Sequence, residues 1–132
     1  MHKGFLKAGV LFAALAVILG AFAAHAIKSR VSAETLSVFE TGVRYQMYHS
    51  LALIFTGILH KSFSYKSIMW AGRLFIAGIL LFSTSLYLLT YFKALEYTNM
   101  FWVGAVTPFG GICFIVAWFL LFKAFFKTEK IS

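Results

Sequence analysis

From Ala8 to Ala24 the chain carries no charged side chain and nothing polar, and the run is framed by Lys3 and Lys7 before it and Lys28 and Arg30 after it. A helix of that composition has no face to offer water. A chain of 132 residues has too little protein to wrap it, since small domains bury only a modest share of their surface. Lipid must cover it. The hydrocarbon core of a bilayer is about 30 Å thick and needs roughly 20 helical residues to cross. The whole chain follows the same rule, with 61% hydrophobic and only 12% charged residues. Soluble domains carry about 25% charged residues.

Three further apolar runs follow. They are a weaker one at about Val43–Leu59, one at Ile68–Phe92 interrupted by Arg73 near its start, and one at Pro108–Phe122 preceded by apolar Met100–Val106. The expected fold is therefore all-α, an integral membrane bundle of four transmembrane helices. Its spans lie at approximately 5–27, 43–60, 68–92 and 107–126 in a single membrane domain over 1–132. No linker, repeat or soluble domain is visible.

Lys3, Lys7, an apolar run and Ala24-His25-Ala26 resemble a signal peptide with its cleavage site. The run is longer than an ordinary signal core. It also places Gly9, Ala13, Ala16, Gly20 and Ala24 at spacings of three and four, which lines one helix face for close approach by a neighbour. Retention as a first span is the expectation.

The net charge of +8 comes from twelve basic residues that sit singly or in pairs at the ends of apolar runs. They form no arginine-rich helix or basic–aromatic platform, so nucleic acid is not an expected partner. With the N-terminus inside, Lys3, Lys7, Lys61, Lys66, Arg73, Lys123, Lys127 and Lys130 are cytoplasmic, against Lys28, Arg30, Lys93 and Arg44 outside. Eight against four places both termini in the cytoplasm. Tyr45, Tyr48, Tyr91, Tyr97 and Trp102 would band the outer interface, Tyr65 and Trp70 the inner one. Arg73 is expected to snorkel to the phosphates. Cys113 stands alone in an apolar run, so it is read as core filler with no disulfide or thiolate metal site.

The stretch FETGVRYQMYHSL, residues 39–51, breaks this pattern by placing Glu40, Arg44, Gln46 and His49 where the second helix meets lipid. Ser32 suits a helix cap with Glu34 in the first turn. Leu36, Phe39 and Val43 give an amphipathic lead-in at the outer surface. A single helix from Ser32 to Leu59 would be about 42 Å long at 1.5 Å per residue, too long for one upright span. Either a bend at Gly42, leaving an amphipathic turn or short helix before the second span, or a projecting first turn is expected.

Glu40 and Arg44 are four apart in the favoured order, as are Arg44 and Tyr48, and Tyr45 and His49. His25 ends the first span on the same side. The candidate polar cluster is thus His25, Glu40, Arg44, Tyr45, Tyr48 and His49. It reads first as a structural clamp, with Glu40 paired to Arg44 and His25 near His49. Two histidines and a carboxylate also have the chemistry to hold a metal or pass protons, but their spacing is not that of a metal motif. No metal, cofactor or catalytic residue is assigned. His2 and His60 fall at the opposite end. Ser83, Thr84 and Ser85 offer hydroxyls to their own or a neighbouring helix. Thr107-Pro108 suits a helix start, and Gly110 and Gly111 suit close packing.

GAFAAHAIKSR at 20–30, VFETGVRYQMYHSLAL at 38–53, GRLFIAGILLFSTSLYL at 72–88 and TPFGGICFIVAW at 107–118 together resemble the domain of unknown function 423 family. It is also called uncharacterised protein family 0382, small bacterial inner-membrane proteins with eukaryotic relatives. The chain departs from the family pattern at Ala23 and Ala26, where glycine often flanks the histidine, and at Thr84, where glycine commonly separates two serines. The resemblance implies an uncleaved four-span membrane protein and no established activity. Two roles are expected from the residues. One is a non-enzymatic packing, assembly or accessory protein, as a homo-oligomer or with a membrane-protein partner. The alternative is a minimal oligomeric transporter or channel for a small solute or protons. Polar residues at one membrane edge only disfavour a continuous pore, and no nucleophile–base pair marks an enzyme.

Overall fold

The computed structural model describes residues 1–63 and 66–126. Tyr65, Lys127 and Lys130, which entered the expected interface band and charge balance, lie outside the described residues. Among the described residues there is no strand. Helix α1 spans Lys3–Phe22 and continues through a π turn at Ala23–Ile27. Helix α2 spans Ala33–Leu59. Helix α3, Lys66–Gly78, passes through a second π turn at Ile79–Ser83 into α4, Thr84–Ala94. Helix α5 spans Phe101–Phe126.

Three rods among the described residues are long and apolar enough to cross a membrane: Lys3–Ile27, Lys66–Ala94 and Phe101–Phe126, of 25, 29 and 26 residues. The fourth, α2, has 27 residues, yet Glu34, Glu40, Arg44, Gln46 and His49 dilute its apolar character. Its position explains how it tolerates them. α2 lies at the centre, with α1 on one side and α3 and α4 on the other, and α5 packs against the α3–α4 rod. Phe39, Gly42, Gln46, His49, Leu53 and Thr56 recur at three- and four-residue intervals and are all buried, so one stripe of α2 faces protein along its length.

The starts and stops have local causes. Ser32 Oγ accepts from Thr35 N at 3.2 Å, with Glu34 in the first turn, as the sequence leads one to expect. α1 is capped by His2, whose Nδ1 accepts from Phe5 N at 3.1 Å while its ring stacks on Phe5 at 4.0 Å. α4 ends in a Schellman turn: Tyr97 N donates to Phe92 O at 3.0 Å and Glu96 N to Lys93 O at 3.1 Å. This puts Glu96 in the left-handed region at φ 61°, where glycine is the usual occupant.

Three expectations are corrected. α2 runs unbroken from Ala33 to Leu59, so no separate short helix precedes the second rod and its first turns continue the same helix. Gly42 is instead a contact point, for a Cβ there would lie 2.8 Å from Tyr87 Cε1 and 3.3 Å from Ser83 O. Thr107-Pro108 does not start the last helix, which begins at Phe101 and holds Pro108 inside. Membrane-type helices tolerate such a proline when neighbouring groups take up the freed bonding capacity. Thr107 Oγ1 meets Ser85 Oγ at 2.6 Å rather than capping its own helix. Finally, the packed face of α1 carries Phe5, Gly9, Ala16 and Ala23, whereas Ala24 is exposed. The 3.6-residue repeat brings position 23, not 24, under the stripe.

The two ends of the bundle are distinct. At one, His2 N donates to Gly57 O at 2.8 Å, His2 meets His60 edge-on at 5.3 Å, and Phe63 meets Phe125 at 5.7 Å. The starts of α1 and α3 and the ends of α2 and α5 are therefore together. Arg73 lies near this end, exposed, its guanidinium 5.1 Å from the Trp70 ring. The core between α2, α3 and α5 is built on Leu53, Ile68, Ala71, Phe75 and Ala117, each fully buried. The outside is greasy too, with Val17, Ile18, Leu80, Ile112 and Phe119 all exposed.

Candidate functional site

The buried polar groups converge on α2. Gln46, 4% exposed, reaches both ways. Its Nε2 donates to Phe12 O of α1 at 2.8 Å, and its Oε1 accepts from Tyr87 Oη of α4 at 2.7 Å. One turn before it, Gly42 O accepts from Ser83 Oγ at 2.7 Å. Ser83 closes the π turn, and the absence of a side chain at Gly42 lets its hydroxyl come that near. Ser50 Oγ donates to Gln46 O on the same helix. On the far side of α4, Ser85 Oγ donates to Phe82 O at 2.7 Å and meets Thr107 of α5. Hydrogen bonds thus join α1 to α2, α2 to α4 and α4 to α5.

His49 lies one turn beyond Gln46 and is 6% exposed. Its Nδ1 sits 2.7 Å from Tyr45 O, and its ring lies flat on Phe114 of α5 at 3.5 Å and 7°. Phe75 and Trp118 approach it at 5.8 and 6.2 Å. Tyr45 stacks on Phe82 at 4.7 Å. Tyr48 is 56% exposed and meets the group through Tyr45, at 6.1 Å. The imidazole is therefore held as one plate in an aromatic stack between α2, α3 and α5.

The expected clamp assembles differently. Arg44 is exposed and turns back one helical turn, donating to Thr41 Oγ1 at 3.0 Å, which itself donates to Ser37 O at 2.9 Å. Glu40 is half-buried and forms no ion pair among the described residues. An exposed i, i+4 pair is worth at most about 1 kcal/mol, so a neighbouring hydroxyl competes for the guanidinium on even terms. His25 is exposed in the π turn and makes no side-chain hydrogen bond or ring contact among the described residues. Of the six expected cluster residues, Tyr45, Tyr48 and His49 come together, and His25, Glu40 and Arg44 do not join them. The described residues hold no group of three or more histidine, cysteine or acidic side chains placed to bind a metal.

Gln46, Ser83, Tyr87 and Thr107 were not in the expected cluster. Gln46 carried a signal, being a lone amide in an apolar run, since such a group in lipid must find a partner. Nothing in the sequence says that the partners are Phe12 and Tyr87.

Residues 19–111 match the family described as "Protein of unknown function (DUF423)". The chain belongs to the DUF423 family. The matched segment holds Gln46, His49, Ser83, Tyr87 and Thr107, hence most of the network. Among similar proteins is UPF0382 membrane protein SAB0533 of Staphylococcus aureus (strain bovine RF122 / ET3-1), 42% identical over 125 residues, covering 95% of this chain and 97% of that protein. UPF0382 membrane protein SSP2132 of Staphylococcus saprophyticus is 42% identical over 125 residues, covering 95% and 98%. UPF0382 membrane protein YwdK of Bacillus subtilis is 41% identical over 126 residues, also covering 95% and 98%. No solved structure matches the chain. This DUF423 protein is thus a membrane protein of a bacterial family, and its apolar rods are of a length to cross the bilayer.

Proposed function

We propose that this DUF423 protein is a single membrane domain crossing the bacterial cytoplasmic membrane four times. Both termini are cytoplasmic, the N-terminal helix is retained, and the role is non-enzymatic: packing, assembly or accessory, with itself or a membrane-protein partner. One observation carries the reading. Gln46, Tyr87, Ser83, Ser85 and Thr107 are consumed as bonds between helices, which leaves them little capacity to handle a substrate. Support for four crossings comes from the chain's path. α1 and the α3–α4 rod start at the same end of the bundle, so α2 must return the chain along their full length. Support for retention of α1 comes from the Gln46–Phe12 bond. Loss of α1 would strip a buried amide of its acceptor.

Two measurements test this. Reporters active only in the cytoplasm, fused at each terminus and inserted after Lys28 and Thr98, should work at the termini and fail at the insertions; activity after Thr98 with none at the C-terminus would remove α2 as a crossing. Liposomes holding the protein and a pH-sensitive dye should leak protons no faster than empty ones. A flux lost in His49→Phe would replace the packing role with transport.

A further inference from the structure

α1 and α4 both pack on α2, and at the end where both apolar rods finish a cleft of about 390 Å³ opens between them. That volume lies in the range of small-molecule sites. Its walls come from separate elements: Phe22 of α1, Ile27 of the π turn, Phe39 of α2, and Tyr87 and Tyr91 of α4. Phe39 is 4% exposed and lies 4.9 Å from the Tyr87 ring, closing the floor. The lining is apolar apart from Thr90, the tyrosine hydroxyls and one cation, Arg30, in the turn that leads into α2. Thr90 Oγ1 is spent on Leu86 O, and Tyr87 Oη on Gln46. Arg30 is free, for its guanidinium makes no hydrogen bond or ion pair among the described residues, although Glu34 and Glu96 are at the same end.

We propose that this cleft holds one anionic phospholipid, an acyl chain lying between Phe22, Phe39 and Tyr87 and its phosphate on Arg30. An arginine at the level where two membrane rods end lies where lipid phosphates are, and its planar fork matches a phosphate better than any other side chain. An apolar slot below one cation fits a chain below one anionic head. A neighbouring helix would need a flat face, and a free phosphate would need none of the slot. The inference rests on the membrane location of the rods and holds whichever terminus faces the cytoplasm.

The test is lipid binding by native mass spectrometry of the full-length protein in neutral detergent. Dioleoyl phosphatidylglycerol and dioleoyl phosphatidylcholine are compared, so that only the head group differs. Both lipids carry a phosphate, but in phosphatidylcholine the quaternary ammonium offsets its charge and repels Arg30, so the anionic lipid should bind about tenfold more tightly, or about 1.4 kcal/mol. Arg30→Gln, an exposed change, should erase that preference. Ala94→Trp, at the cleft wall, should weaken both lipids. Lys28→Gln, outside the cleft, should leave the preference intact. Equal affinity for the two lipids, or equal losses in Lys28→Gln and Arg30→Gln, overturns the proposal. So does protection from thermal unfolding by inorganic phosphate equal to that by phosphatidylglycerol, which would mark a phosphate site without a lipid.

Discussion

Gln46 is the side chain on which three helices depend, and a double-mutant cycle with Tyr87 measures that dependence. Tyr87→Phe removes the hydroxyl that donates to Gln46 Oε1 at 2.7 Å, while the ring can stay against Phe39 at 4.9 Å. The cost is that of one buried acceptor left unpaired, about 1–2 kcal/mol. Gln46→Leu keeps an apolar side chain in the stripe but loses two bonds, to Phe12 O and from Tyr87. Phe12 O retains its place in the α1 ladder, so the main penalty is the Tyr87 hydroxyl without its acceptor, together about 2 kcal/mol. In the double variant neither partner is stranded. The deficit should therefore fall short of the sum by the worth of the bond, about 0.6 kcal/mol on average for membrane helices and up to about 1.7. Reversible unfolding by dodecyl sulfate in mixed micelles, followed by tryptophan fluorescence, gives the three free energies. Strict additivity would show that the bond carries no energy and would sink the view of Gln46 as the central tie.

Other sites separate packing from exposure. Gly9→Val should cost about 1–3 kcal/mol in the same unfolding assay, because its Cβ would lie 2.9 Å from Ser50 O and 2.6 Å from Ile54 Cγ1. Gly104→Ala, where a Cβ meets nothing within 4 Å, should be neutral or stabilising by up to about 1 kcal/mol; a loss there as large as at Gly9 would contradict the packing scheme. Glu40→Gln and Arg44→Met should each change stability by less than about 0.5 kcal/mol and should add, since surface changes without a shared bond do. A coupling above about 1 kcal/mol would restore the ion pair. Glu96→Gly should raise the unfolding midpoint by relieving about 1–2 kcal/mol of left-handed strain, and a lowered midpoint would mean that the Glu96 side chain is needed at the turn.

The elements were legible in the sequence wherever one residue type acts on its nearest neighbours. The uncharged run from Ala8 to Ala24 yields a helix for lipid because no arrangement of so short a chain hides it from water. Ser32 caps α2 and Glu34 follows it because a cap needs only the next turn. Arg73 lies exposed near the end of its rod, as its placement at the start of an apolar run foretold. The candidate site was legible in part. The stretch 39–51 was rightly singled out as polar in an apolar setting, and Tyr45 and His49 do share a side of α2 because four-residue spacing ensures it.

What failed was each inference that crossed from one helix to another. Glu40 and Arg44 have the spacing of an ion pair, but spacing sets proximity and not preference, and Thr41 took the guanidinium. His25 and His49 were expected at one edge, but they lie at different levels: Gly9 faces Ser50 and Gln46 bonds Phe12, which puts His49 beside the first half of α1, whereas Gly20 faces Val43 and His25 lies beyond it. That register is set by where Gly9, Phe12 and Gly20 fit against α2. Pro108 marks a helix start in a sequence and lies inside a helix in the bundle, where Thr107 bonds to Ser85. The sequence alone therefore determined that this chain forms apolar helices, where most of them begin and end, and which segment carries its polar residues. Only the tertiary structure decided that Gln46 binds Phe12 and Tyr87, that His49 lies flat on Phe114, and that Arg30 stands at a cleft. Those facts depend on the register and rotation of packed helices, which the fit of many small and large side chains sets together and no local pattern encodes.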